Sequence, residues 1–191
     1  MQPLSRNERL VEAAQKVFAR RGFHAATVPE IAAAAGVSAG LLYRYFDGKA
    51  GLAVAIVDRD RDETVAAIDS LGAPTSDPLE ALGLLIDGWI EVALADRLGC
   101  ALVAEISAEA TRGGVIAEAA ATHDEAVVGA VATLVARAAP RIDSVAVATL
   151  LVSALDGIVI RVAADGDFDP RPVAGALRAT LPVLLGRGAP L

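Results

Sequence analysis

The 191-residue sequence predicts an all-α protein of about nine helices, and three observations point to it. Hydrophobic residues make up 54% of the chain while aromatics make up only 4%, so the core must be built from Ala, Val, Leu and Ile, a mixture suited to closely packed helices. Several apolar-periodic stretches open on a Ser, Thr or Asp with Glu or Pro at the positions that caps demand. Finally, Gly and Pro fall between these stretches as stops, at Gly22, Gly36, Gly48, Gly113-Gly114 and Pro140.

The first helix starts at Ser5, which with Glu8 forms a capping box, carries the stripe Leu10, Val11, Ala14 and Phe18, and stops at Gly22. The second runs from about Val28 to Ala35. Thr27 and Glu30 give it a Thr-x-x-Glu capping box, and its alanine-rich body lets another helix cross closely. Gly36 supplies the left-handed residue that ends it. Val37 plugs the core beneath the turn, and Ser38 caps a third helix from about Ala39 to Phe46. That helix places Leu42 and Phe46 on one face and Gly40, Leu41 and Arg44 on another. Helix, glycine turn, helix over residues 28–46 is the helix-turn-helix pattern, whose second helix suits the DNA major groove.

After the Asp47-Gly48 break a long fourth helix runs to about Leu71, with the charge run DRDRDE as a solvated, ion-paired face. The clearest boundary is GAPTSDP, residues 72–78, where Asp77 and Pro78 open the next helix. Further helices are expected over about 78–97, 100–110, 114–139, 143–164 and 171–186, with breaks at Gly99, Gly113-Gly114, Pro140 and DGDFDPRP. Residues 155–166, LDGIVIRVAADG, are β-branched enough for a buried strand, but a lone strand has no partner, so one helix is extended through them.

Net charge is −7, which by itself argues against nucleic acid, but its distribution is uneven. Through Lys49 the chain has seven basic and four acidic residues, a net of +3, which leaves −10 for the remainder. A basic head on an acidic body fits a nucleic-acid contact at one end only. The single cysteine, Cys100, excludes an internal disulfide, fits a reducing cytoplasm, and reads most simply as a small core hydrophobe. The start, MQPLSRNERL, has no hydrophobic signal core, and no run of eighteen apolar residues stands out as a membrane span. His24 and His123 have no Cys or His neighbour at ligand spacing, so neither a metal site nor a cofactor is expected. No Gly-x-Ser-x-Gly elbow, phosphate loop or His-Glu-x-x-His occurs, so no enzymatic activity is expected either.

Residues 9–52 resemble the TetR family of transcriptional regulators. The matching residues are Ala13, Ala14, Phe18, Gly22, Phe23, Thr27, Val28, Ile31, Ala32, Ala35, Gly36, Val37, Ser38, Gly40, Leu42, Tyr43, Tyr45, Phe46, Lys49 and Leu52. Ala50 departs from the pattern, since an acidic residue is frequent there. The resemblance implies a DNA-binding domain over residues 1–52, continuing into the long fourth helix, and a helical ligand-binding and dimerisation domain over 72–191. It assigns phosphate contacts to Thr27, Tyr43, Tyr45 and Lys49. Physical chemistry places Ser38, Ala39, Gly40, Leu41 and Arg44 at base edges, with Arg44 suited to guanine or to a phosphate and Leu41 to a thymine methyl.

For the body the resemblance implies a homodimer reading a pseudo-palindromic operator in double-stranded DNA, released by a small-molecule effector, in the cytoplasm. The candidate interface lies on the last two helices, with Ala146, Leu150, Ala154, Gly157 and Arg161 on one and Ala174, Leu177, Leu181 and Leu185 on the other. These stripes equally describe a core within one chain. The candidate effector residues are Trp89, the body's one large aromatic platform, and Asp87, Glu105, Asp156 and Arg161, charges within apolar helices. Each is as readily an ion-paired surface group, and Arg161 and Asp165 are spaced to pair. The competing expectations are a helical enzyme and a dimerisation protein whose head does not read DNA.

Overall fold

The computed structural model describes residues 5–72 and 77–187. Among them are nine helices and no strand: α1 (Arg6–Arg21), α2 (Val28–Ala34), α3 (Ala39–Tyr45), α4 (Gly48–Leu71), α5 (Pro78–Ala95), α6 (Arg97–Ala110), α7 (Val115–Ala138), α8 (Ser144–Ala164) and α9 (Arg171–Leu184). The all-α expectation holds, including the helical reading of residues 155–164. The core of the boundary expected at 72–78, residues 73–76, lies outside the described residues.

Local chemistry accounts for the starts of the short helices. Ser5 and Glu8 close a capping box on α1, and Thr27 and Glu30 close another on α2. The Ser38 hydroxyl accepts from Leu41 N–H at 3.2 Å and opens α3. Asp77 accepts from Leu79 N–H at 2.9 Å ahead of Pro78. One expected break is misplaced. α5 ends at Ala95 and α6 already begins at Arg97, so Gly99 lies inside α6. The turn falls at Asp96 (φ −131°, ψ 73°), which has no glycine to announce it.

The chain forms two compact units that do not follow the chain order expected from composition. One takes the chain through Asp60 together with Leu98–His123; the other takes Arg61–Arg97 and the chain from Asp124 onward. In the first, Leu10, Ala14, Phe18, Ile31, Leu42 and Leu52 are fully buried in one core. Leu102 and Ile116 belong to that core, and Ile106 and Ala110 pack against it. The physical reason for the difference is therefore an apolar face on α6 and early α7 that a division by linkers cannot assign.

In the second unit α5 packs on both α8 and α9. Its core includes Leu82, Ile86, Val131, Leu151, Leu155 and Leu181. Cys100, in the first unit, is buried as expected of a small hydrophobe. α8 corrects the reading that no segment is apolar enough to span a membrane: its mean hydropathy reaches 2.0 over eighteen residues. Within the chain it acts as a core helix along one side, with Leu151, Leu155, Ile158 and Val162 buried.

Candidate nucleic-acid interface

One tight turn shapes the helix-turn-helix. Gly36 takes φ +68° after α2, and Val37 N–H then donates to Ala32 carbonyl oxygen at 2.9 Å, closing the turn tightly. Val37 packs against the core below. α3 buries Leu42 completely and Phe46 partly, which turns Ser38, Gly40, Tyr43, Arg44 and Tyr45 to the exterior, with Ala39 and Leu41 half-buried. Tyr43 is 62% exposed and Tyr45 43%, so neither ring serves the core. Arg44 makes no hydrogen bond or ion pair among the described residues, which leaves its guanidinium available. A Cβ at Gly40 would meet no atom of the chain within 4 Å. This glycine therefore answers no packing need of the chain itself and leaves the helix surface low there.

The two other residues expected at phosphates are engaged within the chain. Thr27 donates from its backbone N–H (3.0 Å) and from its hydroxyl (2.8 Å) to the Glu30 carboxylate, whose far oxygen pairs with Arg21 at 3.0 Å. Those bonds hold the Glu30 carboxyl below its ordinary value, the Thr27 hydroxyl contributing most and the backbone N–H next. The Ser5 backbone N–H, then its hydroxyl, lowers Glu8 in the same way. Lys49 donates from Nζ to the carbonyl oxygens of Phe23 (2.8 Å) and His24 (3.0 Å), and its ammonium lies 5.0 Å from the Phe23 ring centroid.

The residues expected around an effector are scattered. Glu105 belongs to the first unit, where its carboxylate accepts from Phe23 N–H at 2.9 Å; it is a loop anchor and not part of a cavity in the second unit. Asp87 pairs with Arg178 of α9, and the guanidinium lies over Gly83, where a Cβ would stand 2.9 Å from its central carbon. Trp89 is half-buried. Arg161 is exposed and lies over the Phe168 ring at 5.0 Å instead of pairing with Asp165. Asp156 lines a surface depression of about 250 Å³ with Asp124, Glu125, Val128, Thr149, Val152 and Ser153. A second, of about 350 Å³, lies along α4 at Arg61, Asp62, Val65, Ala66 and Asp69. Both are open, and neither is the apolar cavity expected.

The two stripes considered for self-association part company. On α9, Ala174, Leu181 and Leu185 are buried and Leu177 is half-buried, with Leu181 only 2% exposed. That stripe is core of the chain itself, because α9 has a single apolar face and turns it to the unit's interior. α8 is apolar nearly all round. Beyond its buried side, Ala146, Leu150 and Gly157 are exposed and Ala154 half-buried, with Leu150 51% exposed.

Sequence reasoning missed four side chains that hold carbonyl oxygens at helix ends and loops. Arg97 donates to Val162, Asp165 and Phe168 at 3.1–3.2 Å, at the end of α8. Arg137 donates to Gly72 at the end of α4, and Arg187 to Ala138 at the end of α7 at 2.7 Å. Lys49 is the fourth. Their partners lie 25 to 71 residues away, so no local spacing could have marked them. The histidines likewise pair at a distance, His24 with Glu109 (2.9 Å) and His123 with Asp60 (3.1 Å).

Comparison with known proteins supplies the remaining step. A family model described as bacterial regulatory proteins, tetR family, matches residues 10–56. The HTH-type transcriptional activator FasR of Mycolicibacterium smegmatis is 35% identical over 105 residues, covering 53% of this chain and 48% of FasR. The chain spans about half the length of the curated relatives it matches. Among solved structures, Salmonella enterica GusR superposes with a TM-score of 0.79 at 26% identity, covering 97% of this chain and 98% of GusR. FadR of Bacillus subtilis in complex with stearoyl-CoA gives 0.80 at 16% identity, over 95% and 99%, a likeness of fold alone. The matched segment holds the capped turn of α2 and α3, and the likeness of fold runs through all nine described helices. Residues 10–56 thus match the tetR family of bacterial regulatory proteins, and the chain as a whole shares its fold with GusR.

Proposed function

We propose that this protein is a sequence-specific, DNA-binding transcriptional regulator working in the cytoplasm as a homodimer, without catalytic activity. The observation that carries the reading is the outer face of α3. Ser38, Ala39, Gly40, Leu41 and Arg44 stand at the start and exterior of a well-capped helix, with the Arg44 guanidinium unengaged. Such a helix presents its N-terminal residues to base edges in the major groove. Tyr43 and Tyr45 flank that face and supply phenolic donors to phosphates, which set register without reading sequence. Thr27 and Lys49 have donors already engaged inside the chain.

Two heads are needed for a selective site, and the second face of α8 supports self-association. Ala146, Leu150, Ala154 and Gly157 form an outward stripe on a helix too apolar to be left in water. Two copies so joined place two recognition helices about one turn of DNA, roughly 34–36 Å, apart on a pseudo-palindrome. The effector is expected to be small and largely apolar, and long-chain acyl-CoA, larger and with a charged head, is the competing class to test beside it, since FadR was solved with stearoyl-CoA. Binding in the closely packed second unit has to open space there, and an effector that prefers the opened state weakens operator binding. Direction of control is read separately: repression is the expectation, while FasR is an activator by name.

The deciding experiment is selection of bound fragments from sheared source-genome DNA at two salt concentrations. Enrichment of one pseudo-palindrome that survives the higher salt supports the proposal. Diffuse, salt-sensitive recovery overturns it in favour of a head that holds phosphates without reading bases. On the selected site, Arg44→Ala is expected to lose about 1–3 kcal/mol of discrimination at one base pair. Equal losses across all operator variants would remove the base-reading role of Arg44.

A further inference from the structure

The loop between α1 and α2 is held mainly from outside. Lys49 of α4 takes the carbonyl oxygens of Phe23 and His24, at 2.8 and 3.0 Å. Glu105 of α6 accepts the Phe23 N–H at 2.9 Å. Glu109, one turn further along α6, pairs with the His24 imidazole at 2.9 Å and with Arg112 at 2.9 Å. The loop thus turns its carbonyls to a cation and its N–H to an anion. Gly22 makes this approach feasible. A Cβ there would lie 3.2 Å from Glu105 Oε2, and φ 78° with ψ 156° is a conformation almost confined to glycine.

From this geometry we infer that Lys49 and Glu105 act as one clamp, positioning residues that fix the loop and through it the pose of α2 and α3 on DNA. Lys49 then serves operator binding through the loop and not as an independent phosphate contact. Two of its three ammonium donors are committed to carbonyls, so only one is left for a phosphate. The loop leads directly into the α2 capping box at Thr27, and α2 meets α3 across the tight Gly36 turn. A displacement of the loop is therefore transmitted to the recognition face, where misplacement on the order of 0.5 Å degrades paired contacts. The inference rests on the DNA-binding reading above.

The test uses the full-length chain and a fluorescent duplex carrying the most enriched selected sequence, titrated at three salt concentrations. Glu105→Ala and Lys49→Ala are each expected to weaken binding about tenfold, and the double variant by little more than either alone, because both release the same loop. Glu105→Gln keeps an acceptor for the Phe23 N–H and is expected to restore binding to within about twofold. The salt slope stays at the wild-type value in Lys49→Ala. A fall of about 0.9 in that slope, or a double variant about a hundredfold weaker, overturns the inference in favour of a separate phosphate contact. Amide hydrogen exchange supplies an arm free of DNA: Phe23 N–H exchanges faster in Glu105→Ala than in Glu105→Gln if the clamp exists, and equally if it does not. Failure of the wild-type protein to prefer any duplex would sink the DNA-binding reading, and the exchange arm would still decide the clamp.

Discussion

In the first unit, α1, α2 and α3 are started by residues beside them; in the second, α8 and α7 are finished by residues far along the chain. Ser5, Thr27 and Ser38 each accept a backbone N–H three positions on. Arg97 and Arg187 reach back or forward across dozens of residues to the last carbonyls of α8 and α7. A cap at i to i+3 forms as the helix forms and supports it even in isolation. A guanidinium supplied from another helix arrives only when the tertiary structure is in place. The first strategy suits short helices of seven residues, which are marginal unaided. The second suits long helices, which need their ends fixed relative to one another more than they need help to form.

Arg97→Ala breaks the comparison at its strongest point. It removes charge-assisted bonds to three carbonyls and is expected to destabilise by about 2–3 kcal/mol, read as a lower urea midpoint. An unchanged midpoint would mean that the α8 terminus is equally well satisfied by water. Ser38→Ala removes one local cap and is expected to cost about 1 kcal/mol, seen by hydrogen exchange as fraying confined to α3. The smallest effect is electrostatic. Glu8 and Glu30 are both lowered from an ordinary 4.5, so each stabilises the folded state above that pH, and the contribution is lost as pH falls through the lower folded value. Glu30→Gln is expected to flatten that acid limb of the stability profile for the α2 cap by lowering stability slightly at neutral pH and leaving it unchanged in acid.

The same contrast explains what was legible beforehand. Ser5, Thr27, Gly36 and Ser38 announce their roles within four residues, and the helix-turn-helix followed from them with boundaries good to about one residue. Arg97, Glu105 and Lys49 carry no such mark. Glu105 looks like any acid on an apolar helix until Phe23 N–H is seen against it. Leu181 and Leu150 are both leucines in apolar stripes, yet one is core and the other faces outward, a distinction that only the packing of α9 and α8 makes. The Asp96 turn lacked glycine or proline, so the break was assigned to the nearest glycine instead.

The first unit also has a consequence for the order of events during synthesis. Its α2 and α3 leave the ribosome early, but the core they close on includes Leu102 and Ile116, and the unit is not complete until His123. At about 5–20 residues per second, the ribosome needs several seconds to deliver the segment from Asp60 to His123. A nascent chain therefore carries α2 and α3 for that interval without Leu102 and Ile116 to complete their core, and the first unit closes only as the other is itself being made.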